Sequence, residues 1–177
     1  ERALAVVPAR QKASIEKALA GLSVGMAEVD LLKLIDPRRD VVFGEWTLEN
    51  GILKGSAMKP DSRLQIPYRA PEQYDLEVVA ERVEGSDALL IGLANSRFQT
   101  IVGLDGWPPS YESGFEVLDQ KRANSNESTR KGPVFAAGKE SRILCRVRRT
   151  RISVEVDGKL VIDWAGDLAR LSVRGEY

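Results

Sequence analysis

The stretch ISVEVDGKLVIDW, residues 152–164, sets apolar Ile152, Val154 and Val156 in alternation with polar neighbours and then bends at Asp157-Gly158. A period of two belongs to a strand with one face in a core, and Asp-Gly suits the left-handed backbone of a two-residue hairpin. The preceding SRILCRVRR places Ile143, Cys145 and Val147 on one side in the same rhythm, opposite Ile152, Val154 and Val156. Three consecutive antiparallel strands are therefore expected here, with Cys145 a buried small hydrophobe rather than a nucleophile.

Working outward, the same texture recurs. GEWTLENGILKGS (44–56) reads as strand, Asn50-Gly51 turn and strand. YDLEVVAERV (74–83) alternates Leu76, Val78 and Ala80 against Glu77, Val79 and Glu81, and DALLIGLA and RFQTIVGLD flank a turn at Asn95-Ser96. GFEVLD (114–119) is a further short strand, and the polar QKRANSNESTRKGP (120–133) is an exposed loop. Roughly eight to eleven short strands spaced about 8 to 12 residues apart, without intervening helices, predict an all-β antiparallel sandwich or a barrel. Residues 1–28 read as a helical lead-in, with Pro8 at its start and Ile15, Ala18, Leu19 and Leu22 on one side; residues 29–177 are the sandwich. The stretch AEVDLLKLIDP between them fits a short helix or an extended segment.

The chain of 177 residues suits one main domain. Its 26 basic and 26 acidic residues balance, which argues against a nucleic-acid binder working through a net basic field. There is no histidine, so no His-based general base or metal ligand exists, and the single cysteine excludes an internal disulfide and a thiolate zinc site. No motif calls for a cofactor or a metal. No apolar run is long enough for a helical membrane span, and ERALAVVPARQK is too short in its apolar part for a signal peptide. The absence of an initiator Met, and an end at LARLSVRGEY that still reads as structure, suggest a fragment of a longer protein truncated at its C-terminus. The compartment stays open, with an extracytoplasmic setting slightly favoured.

The order of these pieces resembles the bacterial 3-keto-disaccharide hydrolase family, within the concanavalin A-like (laminin G-like) jelly rolls. LLKLIDPRRDVVFGEWTLENGILKG is similar to the family's opening, with Trp46 ahead of the Glu49-Asn50-Gly51 hairpin. YDLEVVAERV matches a following strand, Gly114–Asp119 looks like its GyEvqilD strand, and GKESRILCRVRRTRISVEVDGKLVIDW resembles its last hairpin, ending at Trp164. The likeness runs loosely over residues 30–165. This chain departs from it where Leu118 follows Val117 in place of a glutamine, where Glu140-Ser141 replaces Trp-Asn, and where Asp157-Gly158 replaces Asn-Gly. The resemblance implies a sandwich fold and, as an activity, cleavage of a 3-keto-glycoside.

Candidate chemistry is sparse. A glycosidase needs two carboxylates about 5 to 9.5 Å apart, and Asp105 and Glu116 are the pair that neighbouring strands could bring together. The loop LDGWPPSYESGFE holds Trp107 and Tyr111 around two prolines, a stiff frame on which rings can stack against a sugar or fold inward as a lid. Asp105, Glu112 or Asn95 offers hydroxyl-binding groups for such a sugar, and Asn95, Arg97 and Gln99 with Arg63 and Gln65 are the residues of a second candidate, a polar groove. Arg146 and Arg148 form a basic strip with Arg142 and Arg151, suited to an anionic sugar or to cross-strand ion pairs. Trp46 and Trp164 read as core or core-edge residues. Asn126-Glu127-Ser128 matches a glycosylation sequon.

These features favour a non-catalytic module that binds an oligosaccharide, a polysaccharide or another surface as part of a larger protein. The alternatives are the glycoside-hydrolase activity of the resembled family, and a structural domain that docks a protein partner through residues 9–35.

Overall fold

The structure, a computed structural model, describes residues 2–6, 28–57 and 62–175. The strands are β1 (Arg2–Val6), β2 (Val41–Phe43), β3 (Trp46–Glu49), β4 (Ile52–Ala57), β5 (Arg63–Leu64), β6 (Tyr74–Arg82), β7 (Leu89–Ala94) and β8 (Gln99–Gly106). They continue with β9 (Glu112–Phe115), β10 (Val117–Leu118), β11 (Lys121–Arg122), β12 (Arg130–Lys131), β13 (Glu140–Val147), β14 (Arg151–Val156), β15 (Lys159–Ala165) and β16 (Leu171–Ser172). Among the described residues, helix is confined to one turn, α1 (Pro37–Asp40), and to 3-10 turns at Leu31–Leu34 and Leu168–Arg170.

The fold is an all-β antiparallel sandwich. One layer is a seven-stranded sheet ordered β15-β14-β13-β6-β1-β4-β3; the other is built from β12-β9-β8-β7 and its continuation β11-β10-β16. The opening hairpin is as its residues dictate. Asp157 and Gly158 have φ of 49° and 75°, and Asn50 and Gly51 have 51° and 72°, the conformation of a two-residue turn that matches strand twist. Ile143 lies opposite Val156, Cys145 opposite Val154 and Val147 opposite Ile152, and all six are buried. They pack with Leu89, Ile91, Leu93, Val102, Leu104 and Phe115 of the second layer. Phe115 and Trp164 meet edge to face across the interior, with ring centroids 5.7 Å apart. Burial pushes the Cys145 thiol up to about 12, so it is a packing residue without thiolate character at neutral pH.

The lead-in departs from its helical expectation in one place. Residues 2–6 form β1, paired to β4 on one side and to β6 on the other. Two neighbouring strands offer a ladder for these backbone groups, and that pairing outweighs the weak helical preference of RALAV. The positions expected to line a helix, Ile15, Ala18, Leu19 and Leu22, lie outside the described residues. The undecided stretch before Pro37 resolves into the 3-10 turn, and Asp36 caps α1 by accepting from the Arg38 amide.

Trp164 is core, as expected. Trp46 is half-buried on the edge strand β3 and lies flat over Gly55, where a methyl group would come within 2.9 Å of its ring.

Candidate functional site

The residues singled out for function fall at three separate places. The first is one end of the sandwich, at the β7–β8 turn. Asn95 donates to the Glu72 carbonyl (2.9 Å) and accepts from the Arg97 amide (2.8 Å), while Arg97 pairs with the Glu72 carboxylate at 3.0 Å. Tyr74, the first residue of β6, ties this end together: its hydroxyl donates to the Ala94 carbonyl and accepts from the Ala94 amide, both at 3.1 Å. Its own burial pushes that phenol up to about 12. Beside the turn lies an open depression of about 490 Å³, lined by Asn95, Ser96, Phe98, Gln99 and by Leu171, Ser172 and Val173 of the β16 segment. Phe98 is buried beneath it, and Gln99, Ser96 and Ser172 are exposed.

The second place is the outer face of the seven-stranded sheet, which carries the arginine strip. Arg142 pairs with Glu77 (2.6 Å), Arg146 with Glu155 (2.5 Å), and Arg148 with Asp75 (2.7 Å). Arg151 grips Asp163 with two nitrogens and holds that carboxyl below the usual carboxylate range. Arg146 and Arg148 are therefore engaged with neighbouring carboxylates, each charge answered within the sheet. Such half-exposed pairs contribute little to stability.

The third place is the opposite end, where β8 and β9 part. Asp105, Trp107 and Tyr111 all have positive φ (56°, 51° and 47°), so three residues with side chains sit in the left-handed region within seven positions. The loop closes on itself through the Tyr111 amide, which donates to the Trp107 carbonyl (3.3 Å), and through the Ser110 hydroxyl, which donates to the same oxygen (2.8 Å). Trp107 and Tyr111 are half-buried: neither a ring presented fully outward nor a closed lid. Asp105 is fully buried, and its oxygens accept from the Val134 amide (2.7 Å) and the Phe135 amide (3.0 Å). Arg82 lies beside it, Nη1 to Oδ2 at 3.5 Å, with the guanidinium 5.3 Å over the Phe135 ring.

Glu116 belongs to none of these. Next to inward-facing Phe115, Glu116 sits against the outer face of β8, its Oε2 3.9 Å from where Gly103 would carry a Cβ. It is buried and faces Arg174 at 3.3 Å. Its amide bonds the Ile101 carbonyl, which is four residues from Asp105 along β8, or about 13 Å at 3.3 Å per residue. Asp105 turns toward the core-packed Val134 and Phe135, and Glu116 lies on the other face of the sheet. These two carboxylates do not converge on one cleft, as a glycosidase pair must.

Asn126 is a latch rather than a surface acceptor. Its amide donates to the carbonyls of Phe115 (2.8 Å) and Lys121 (3.2 Å), its oxygen accepts from Ser128, and the Ser128 hydroxyl accepts from the Phe115 amide. Asn126 and Ser128 thereby stand in for a neighbouring strand at Phe115. Close approach of this loop is the reason for glycine at 114, where a methyl group would lie 3.0 Å from the Ala123 carbonyl oxygen.

Sequence reasoning missed Arg82, Arg174 and a cluster at Trp164, whose indole nitrogen donates to Glu127 while Arg170 bridges Glu127 and Asp119. Only Arg82 carried a signal. It continues the inward parity of Leu76, Val78 and Ala80, an arginine where the strand pattern asks for an apolar residue.

In comparisons with known proteins, the chain matches no protein family, no curated protein and no solved structure.

Proposed function

We propose that the protein is a non-catalytic binding module whose ligand is a carbohydrate held in the depression at the β7–β8 turn. The depression itself carries this reading: about 490 Å³ of open concavity with exposed Gln99, Ser96 and Ser172 on its walls and the Phe98 ring beneath. Amide and hydroxyl groups arranged around an apolar floor match the mixed surface of a sugar. Asn95 shapes the rim, its polar groups committed to the Glu72 carbonyl and the Arg97 amide.

The test is a thermal-stability screen against neutral and acidic oligosaccharides. A ligand at 100 times its Kd stabilises the fold by about 2.7 kcal/mol. Gln99→Ala should weaken binding roughly fivefold, the loss of one hydrogen bond of about 1 kcal/mol. A flat response across the panel removes this reading.

A second reading, assembly with a partner chain, has its own observation. Val42, Phe43, Ile66 and Tyr68 are large and exposed on and beside the β2–β5 ribbon. A flat sugar screen together with concentration-dependent self-association would favour it.

A further inference from the structure

Three arginines in this protein present the same edge of the guanidinium to a carboxylate. Arg39 places Nε and Nη2 on the two oxygens of Asp40 (2.7 and 2.8 Å), Arg151 does so on Asp163, and Arg170 on Asp119. The Nε–Nη2 edge carries two parallel N–H bonds whose spacing matches a planar carboxylate. In Arg82 these same two nitrogens are buried and have no hydrogen-bond partner among the described residues. The residue is only 8% exposed. Its remaining contact, Nη1 to Asp105, is long at 3.5 Å, and Asp105 already accepts from two backbone amides.

Buried donors left unmade are costly, and a guanidinium with a whole edge unsatisfied is a site awaiting an acceptor. The surroundings suit one. The Phe135 ring lies against the guanidinium, its centroid 5.3 Å from the Arg82 Cζ. The chain surfaces at once on leaving Arg82: Val83 is 50% exposed. The roof is the irregular 133–138 segment, held to β6 by the Gly138 amide donating to the Arg82 carbonyl (3.1 Å) and to β8 through Asp105. A second carboxylate beside an Asp–Arg pair has a precedent in the same molecule, where Arg170 bridges Asp119 and Glu127.

We propose that the Nε–Nη2 edge of Arg82 binds the carboxylate of an exogenous acidic ligand that enters at this end of the sandwich, beneath the 133–138 segment. This site is distinct from the depression at the β7–β8 turn and stands or falls independently of it.

The experiment follows the Arg82 Nε–H resonance and the thermal midpoint of the full chain at constant ionic strength. Acetate, glucuronate and an acidic oligouronide are the probes, with chloride, acetamide and a neutral oligosaccharide as controls. The carboxylates should shift the Arg82 Nε–H signal and raise the midpoint, and the controls should do neither. Saturation by acetate identifies a site for small free carboxylates; a response to the oligouronide at concentrations where acetate is inert identifies an acidic sugar. Arg82→Lys, which keeps the charge and loses the fork, should weaken the response about tenfold or more, and Arg82→Met should abolish it. An Nε–H signal that no carboxylate moves overturns the proposal, whether or not the variants fold. So does an equal response in Arg82→Met, or to acetamide.

Discussion

The two ends of the sandwich are built on opposite principles. At the β7–β8 turn, polar groups are exposed or half-buried and all matched: Arg97 with Glu72, Arg148 with Asp75, Asn95 with a backbone carbonyl, and Tyr74 with both polar groups of Ala94. At the other end, polar groups are buried and incompletely matched, with Asp105 holding two amides, Arg82 keeping an empty edge, and three side-chain-bearing residues in the left-handed region. The lesson concerns where each kind of interaction places its energy. Solvated pairs shape a surface at little gain or loss, whereas a buried charge binds its surroundings tightly because leaving it alone is so costly.

The contrast can be broken most forcefully at Asp105. Asp105→Ala removes the acceptor of two amides and leaves Arg82 buried without any carboxylate, so chemical denaturation should show a loss of about 3–5 kcal/mol. A loss below about 1 kcal/mol would mean that this end is no more constrained than the other. Tyr74→Phe, at the matched end, removes one hydroxyl and its two bonds to Ala94 while keeping the ring in the core; about 1 kcal/mol is expected in the same assay. Smallest is Arg97→Ala, which breaks an exposed pair with Glu72. It should cost well under about 1 kcal/mol and shrink further as salt is raised, which a denaturation series in sodium chloride will check.

The architecture was largely legible from local pattern, because a strand's period and a hairpin's turn are written in adjacent residues. Asn50-Gly51 and Asp157-Gly158 adopt the left-handed turn that their identities demand. A third hairpin, between β10 and β11, turns at Asp119-Gln120 with φ of 51° and 63° and gave no such sign, since Gln seldom takes that backbone. What holds Asp119 there is Arg170, whose hydrogen bonds hold its carboxyl below the usual carboxylate range. The candidate site was far less legible. Asn95 and Gln99 do share a concavity, but with Leu171–Val173, brought from the far end of the chain by the β10–β16 pairing. Trp107 and Tyr111 belong to the opposite end, and Glu116 is held by Arg174 from across the fold. Pairings of that reach are set by how layers stack, which no local period records. Arg82 is the exception, visible as a charge on the inward side of an alternating strand.

The place of β1 has a consequence for handling the molecule. Arg2–Val6 lie between β4 and β6 in the middle of a sheet. Without Arg2–Val6 the seven-strand layer would split into a four and a two, baring a pair of facing edges that invite edge-to-edge aggregation.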